Sequence, residues 1–234
     1  MAVNLSVQKK SQPVDLKSAA LTFVDAEQVT ENSVEKTPLF GVAKSPHHDV
    51  LADIYQNNIS MVVWQRQLGV LSHYAQSLLT LAPNLTVKVQ GDSQQMTGLL
   101  ARLLPDAQGK EEFIEDVSLL VEMFACLLDL DEVGLRLSVL SNAMCPRFHV
   151  DKIPCRLVST YVGAGSEWLH DAHVVRDKLG RGGQVKDHNS GLHEQGRINQ
   201  LNTGDVAVMN GQHLWGVVWC IVHLQQALKI NACF

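Results

Sequence analysis

Two side chains two positions apart, His149 and Asp151, are the first place in this sequence where residue types and spacing suggest chemistry. On a strand, residues i and i+2 point the same way, so an imidazole and a carboxylate at this spacing can grip one ion from one side. A second histidine from a later strand would complete a two-histidine, one-carboxylate facial set. Such a set suits Fe(II) because it leaves positions open for substrate and oxygen. The plain alternative is a His–Asp pair that hydrogen-bonds internally and orients a loop. The surrounding stretch, CPRFHVDKIPCRLVSTY (Cys145 to Tyr161), packs two cysteines, two arginines and two prolines into seventeen residues before a β-branched run that reads as a strand. Its cysteines open another route: Cys145, His149, Asp151 and Cys155 lie within eleven residues, and thiolate plus imidazole is a good Zn(II) set. The Cys-x9-Cys spacing matches no standard finger. In a purely structural reading, both cysteines are small buried residues, and Arg147 and Arg156 pair with acids such as Asp151 or Glu167.

The later histidine has several candidates: His170, His173, His188, His193, His213 and His223. His188 and His193 fall in a Gly-rich polar stretch, where histidines are ordinarily solvated. His170 and His173 are spaced i, i+3 and would share a face if that segment were helical. His223 sits in the apolar run CIVH, in the last sheet element before the end of the sequence. A histidine among Val and Ile is ordinarily a core residue, and the upstream His-x-Asp is what gives it weight. Lys229, six residues further on, is the nearby cation that could meet a substrate carboxylate.

The elements that must position these groups can be read from periodicity. Residues 1–44 are polar and aperiodic and are expected to form an extended or partly disordered arm, with one short strand near Ala20 to Val24. Ser45-Pro46 predicts a capped helix burying Val50, Leu51 and Ile54. A strand follows at Ile59 to Gln65, a helix at Gly69 to Leu81, and a strand at Asn84 to Gln90. Asp92 or Ser93 caps a helix through Leu104 that Pro105 ends. Lys110 to Leu130 carries the strongest helical stripe, through Phe113, Ile114, Val117, Leu120, Val121, Phe124 and Leu128. At Val133 the period changes to two: VGLRLSVL, the Cys145 stretch, Cys155 to Val162, two short strands around Asn202 to Asp205, Val217 to His223 and Leu228 to Ala232 all read as strands. Residues 176–196 read as a long exposed loop. The fold class is therefore α+β: a mainly helical part at 45–132, then an antiparallel β-sandwich or barrel at 133–234 carrying the candidate site.

Composition removes other classes. A chain of 234 residues that is 46% hydrophobic and 18% charged is globular. A formal charge of −5 with no basic stripe argues against nucleic acid. The longest apolar runs contain acids and are too short to span a membrane. The first residues lack a signal-peptide pattern, and five cysteines without a pairing pattern fit reduced thiols, so a soluble cytoplasmic protein is expected.

CPRFHVDKIPCRLVSTYVGAGSEWL, with VGLRLSVL before it, GDVAVMNG after it and VVWQR at Val62 to Arg66, closely resembles the bacterial family called domain of unknown function 1826. The resemblance runs from about Ala43 onward. Members of that family are sometimes encoded near zinc-starvation genes, which implies a zinc-linked, non-catalytic metal-binding role as one expectation. The order His-x-Asp, insertion, GDVAVMNG and a late histidine is also similar to 2-oxoglutarate and Fe(II)-dependent dioxygenases. That likeness implies a C-terminal double-stranded β-helix of the jelly-roll or cupin kind, with Fe(II) held by His149, Asp151 and His223. It further implies 2-oxoglutarate anchored by Arg156 or Lys229, and Tyr161 or Arg147 orienting the ligands. The primary substrate, a small molecule or a protein, is not indicated. The family usually places Arg directly after the late histidine, whereas here Leu224 follows His223 and Lys229 is the basic residue that remains; His213 stands as the second choice for the late ligand.

Overall fold

The computed structural model describes residues 40–141, 145–151, 153–179, 190–211, 218–221 and 227–233. Three helices form where the apolar stripe demanded them. Helix α1 (Leu71–Leu81) buries Tyr74, Ala75, Leu78 and Leu79. Helix α2 (Ser93–Leu103) opens on a capping box in which Asp92 accepts from the Gln95 backbone N–H and the Gln95 side chain answers the Asp92 N–H. Helix α3 (Lys110–Leu128) buries the predicted stripe from Phe113 to Phe124. None of the helices among the described residues is long and apolar enough to cross a membrane.

Eleven strands form two sheets among the described residues: β1 (Gly41–Ser45), β2 (Ile59–Trp64), β3 (Thr86–Gly91), β4 (Val133–Leu140), β5 (Cys145–His149), β6 (Cys155–Val162), β7 (Glu167–Leu169), β8 (Ile198–Gln200), β9 (Val206–Asn210), β10 (Val218–Ile221) and β11 (Ala227–Cys233). The larger sheet has the order β1-β2-β9-β6-β11-β4-β3, and the smaller β5-β10-β7-β8. From β4 on, the chain passes repeatedly between them: β4, β6, β9 and β11 fall in the larger sheet and β5, β10 and the consecutive pair β7 and β8 in the smaller. All of these pairings are antiparallel; β1 with β2 is parallel. The molecule is thus mixed α/β with a large, mainly antiparallel sheet.

Period-two alternation gives the larger sheet two different faces. Leu135, Leu137, Leu157, Tyr161, Val208 and Ile230 join the helices in the main core. Met61, Val63, Val158, Ala207 and Met209 point the other way and pack on Trp168 of β7. Helices therefore cover one face and the small sheet the other.

Several details differ from the sequence reading. Residues 41–45, expected at the end of a loose arm and the start of a helix, pair with β2 as a strand. The helix expected after Ser45-Pro46 is a 3-10 helix, His48–Tyr55, which still buries Val50, Leu51 and Ile54. Ser45 Oγ accepts from the His47 N–H at 3.0 Å and caps no α-turn. This segment makes the crossover between two parallel strands, and the crossover's ends are fixed by the sheet. The N-terminal helical part is not a separate layer of its own strands, because β2 pairs with β9 and β3 with β4. The arm upstream of Phe40, the centre of the 176–196 loop, His188, His213 and His223 lie outside the described residues.

Candidate metal centre

His149 ends β5, and the register fixes which way it faces. Trp219 of β10 is opposite both His149 and Trp168, so His149 shares the Trp168 face of the small sheet, the face toward the large sheet. Its neighbour Phe148 is fully buried on the other side with Leu169. The imidazole Nδ1 lies 2.9 Å from the Arg147 carbonyl oxygen. A carbonyl only accepts, so Nδ1 donates this bond and Nε2 is the ring nitrogen turned toward Asp151. That Nε2 lies 3.8 Å from Asp151 Oδ1.

Asp151 is held from its other side. Arg156, at the start of β6, donates from Nε to Asp151 Oδ2 at 2.5 Å and from a terminal nitrogen toward Oδ1 at 3.4 Å. The arginine expected to anchor a co-substrate is thus engaged with the carboxylate of the candidate ligand pair. The chain end of β9 closes the loop: the Gly211 N–H donates to the Pro154 carbonyl at 2.9 Å. A Cβ at Gly211 would fall 2.2 Å from the Ile153 carbonyl oxygen and 3.3 Å from Asp151 Cβ, so glycine is required for the close approach.

Lys229 lies on β11 between Ser138 of β4 and Thr160 of β6, its cross-strand partners. It is 3% exposed, and Ser138, Thr160 and Asn231 are buried with it. Ile230 and Ala232 belong to the helix-side core, so alternation puts Lys229 and Asn231 on the small-sheet side.

The other expected residues fall elsewhere. Tyr161, expected to orient the ligands, is fully buried on the helix side, packed against Phe113 at a tilt of 59° with ring centroids 4.8 Å apart, and its hydroxyl donates to Asp116. Burial, then the Asp116 charge, push its pKa well above the ordinary tyrosine value. Arg66 completes that cluster with two hydrogen bonds to Asp116, at 2.5 and 3.0 Å. The Arg147 side chain is exposed, and what reaches His149 is its backbone carbonyl. Cys155 faces the helix-side core, where burial pushes its thiol up to about 12, so it supplies no thiolate beside His149. His170 caps and His173 ends a 3-10 turn, their ring centroids 6.0 Å apart, and their Nδ1 atoms accept from the backbone N–H groups of Ala172 and Arg197 respectively. Among the described residues no three His, Cys, Asp or Glu side chains are grouped to hold a metal.

Sequence reasoning did not single out Gly211, Arg66 or Asp116. For Gly211 the signal was available in part: a glycine directly after a strand, at the end of GDVAVMNG, marks a close backbone approach. The Arg66–Asp116 pair spans fifty residues and no local pattern announces it.

Comparison with solved structures gives likenesses at low identity. A prolyl-4-hydroxylase of Pseudomonas putida matches with a TM-score of 0.42 and 10% identity, covering 79% of this chain and 96% of that one. The dioxygenase for auxin oxidation 1 of Arabidopsis thaliana, in a binary complex with 2-oxoglutarate, matches with a TM-score of 0.48 and 7% identity over 83% of this chain and 92% of that one. A prolyl hydroxylase of Trichoplax adhaerens, in complex with a hypoxia-inducible-factor peptide, gives a TM-score of 0.40 and 11% identity over 79% and 86%. No curated protein matches. The family model described as "Protein of unknown function (DUF1826)" matches residues 45–218, and the chain belongs to that family.

Proposed function

We propose that the protein is a metal-dependent oxygenase of the 2-oxoglutarate and Fe(II) type, with His149 and Asp151 as two of three iron ligands. The observation that carries this reading is the approach of His149 Nε2 and Asp151 Oδ1 to 3.8 Å on the inner side of the small sheet. The donor chemistry fits. An imidazole oriented through Nδ1 and a carboxylate held by an arginine are the arrangement that metal ligands take. Two donors about 2.1 Å from one ion stand roughly 3.0 to 3.4 Å apart at right or tetrahedral angles, so a closing of under about 1 Å would seat one. The repeated passage of the chain between two sheets from β4 to β11 supports a double-stranded β-helix for this half of the chain.

Bound Fe(II) with 2-oxoglutarate would supply oxidative decarboxylation of the co-substrate to succinate coupled to oxidation of a substrate. The protein's own part is positioning. Arg156 fixes the Asp151 carboxylate, the Arg147 carbonyl fixes the His149 tautomer, and buried Lys229, with Ser138 and Thr160 beside it, meets the far carboxylate of the co-substrate.

The third ligand is His223, with His213 as the second choice; both lie outside the described residues. The zinc reading with cysteine ligands has no observation in its favour, since Cys155 faces the opposite side of the sheet.

The test is metal analysis of protein purified without chelators, followed by Fe(II)-dependent conversion of 2-oxoglutarate to succinate. Iron with turnover, lost in His149→Ala and in one of His213→Ala or His223→Ala, is the expected result. Tight zinc without turnover, or protein whose melting ignores added metal, would refute it.

A further inference from the structure

Beside the candidate metal pair, the inner side of the large sheet opens into a groove of about 410 Å³ lined by Lys88, Gln90, Gly134, Arg136, Arg156 and Asn231, among others. The register explains its shape. Lys88, Arg136 and Asn231 form one row across β3, β4 and β11, and Gln90 and Gly134 lie in the next, toward Arg156. Gly134 has no side chain, so nothing projects from that position of the floor.

Three of the lining residues are cations and none is an acid. Arg156 spends part of its charge on Asp151, and Glu132 at the rim is bonded to Gln90 at 3.0 Å. Arg136 has a neutral partner, Ser138, at 3.2 Å. Lys88 and Arg136 are direct cross-strand neighbours, an arrangement of like charges that disfavours the sheet unless something negative lies between them. An edge strand tolerates an exposed lysine readily, but an arginine opposite it on the next strand needs another reason.

We propose that this groove docks an anionic group, a carboxylate or a phosphate, on the primary substrate. Lys88 and Arg136 grip it, and the Arg156 end directs the rest of the molecule toward His149 and Asp151. Assigning the anion to a substrate rests on the oxygenase reading; the binding itself does not.

The test is titration of the isotope-labelled full chain with inorganic phosphate and, separately, with propionate at constant ionic strength, following the amide resonances of Lys88, Gly134 and Arg136. Saturable shifts are expected, and the anion that saturates at lower concentration names the group. Lys88→Glu should weaken the binding at least tenfold and Lys88→Arg should retain it. Arg102→Glu, the same charge change on α2 across the sheet, should leave it unaltered. Shifts that never saturate, or that are equal in Lys88→Glu, would overturn the proposal. Displacement of the anion by 2-oxoglutarate would also overturn it, because the groove would then be the co-substrate's seat. Saturable binding by a protein that takes up no iron would leave the groove standing and remove the oxygenase reading.

Discussion

Replacing Gly211 by alanine should disable the candidate metal centre while leaving both proposed ligand residues unsubstituted. The added Cβ would lie 2.2 Å from the Ile153 carbonyl oxygen, 3.1 Å from the Asp151 carbonyl oxygen and 3.3 Å from Asp151 Cβ. A carbon needs roughly 3.0 Å or more from these atoms, so the 153 carbonyl must give by about 1 Å, and it is backbone that cannot rotate away. The Gly211 N–H bond to Pro154 at 2.9 Å ties both sides of the contact to neighbouring strands. Overpacking of this kind costs about 1 to 3 kcal/mol of stability. A displacement of about 1 Å at a ligand-bearing loop costs on the order of 100-fold in function. The assay is anaerobic Mn(II) or Fe(II) titration beside thermal unfolding, with Gly98→Ala as comparator. Gly98 is interior to α2 with nothing within 4 Å of its would-be Cβ, so that change should stabilise by about 0.8 to 1 kcal/mol and leave metal affinity unaltered. A folded Gly211→Ala protein that binds metal as wild type does would refute the claim that this contact sets the position of Asp151.

Other outcomes follow from groups away from the site. Asp116→Ala removes the acceptor shared by Arg66 and Tyr161 and leaves a guanidinium whose side chain is only 10% exposed; it should cost about 3 kcal/mol, read as a fall in melting temperature of roughly 6 to 12 °C. Burial raises the Asp205 carboxyl pKa above its ordinary value, with its hydrogen bond from the Asn202 N–H opposing. The folded state therefore holds that proton more tightly than the unfolded chain, and this contribution, full below about pH 4, is lost as pH rises through the shifted value. Asp205→Asn should accordingly be more stable than wild type at neutral pH, with the difference shrinking on acidification, as denaturant titrations across pH would show. Cys155, pushed up to about 12, stays a thiol at any ordinary pH, whereas Cys126 is exposed. Iodoacetamide mapping by mass spectrometry should find Cys126 labelled in the native protein and Cys155 only after unfolding.

Much of the architecture was legible because local pattern and tertiary role agreed. The stripe on α3, the Asp92 cap and the alternation of VGLRLSVL each mark a buried face that the fold uses. The 3-10 segment after Ser45 and the strand at Gly41–Ser45 escaped because pairing with β2, beyond the segment itself, decides them. At the site, spacing alone found the His149–Asp151 pair. Spacing also offered Arg156 as a partner for Asp151, but an arginine near an acid in sequence equally fits a ligand-binding role, and only the loop geometry separates the two. Tyr161 was misjudged by one residue of alternation: Thr160 faces the small sheet and Tyr161 the helices. The groove was not legible, because Arg136 meets Lys88 only through the pairing of β4 with a strand some fifty residues earlier.

Diffraction from crystals soaked with Mn(II), recorded for its anomalous signal, bears most directly on the metal centre. One peak bonded to His149 Nε2 and an Asp151 oxygen, absent from Asp151→Asn crystals, is the expected outcome. Crystals that stay without metal at that pair, or take it up only elsewhere, would contradict it.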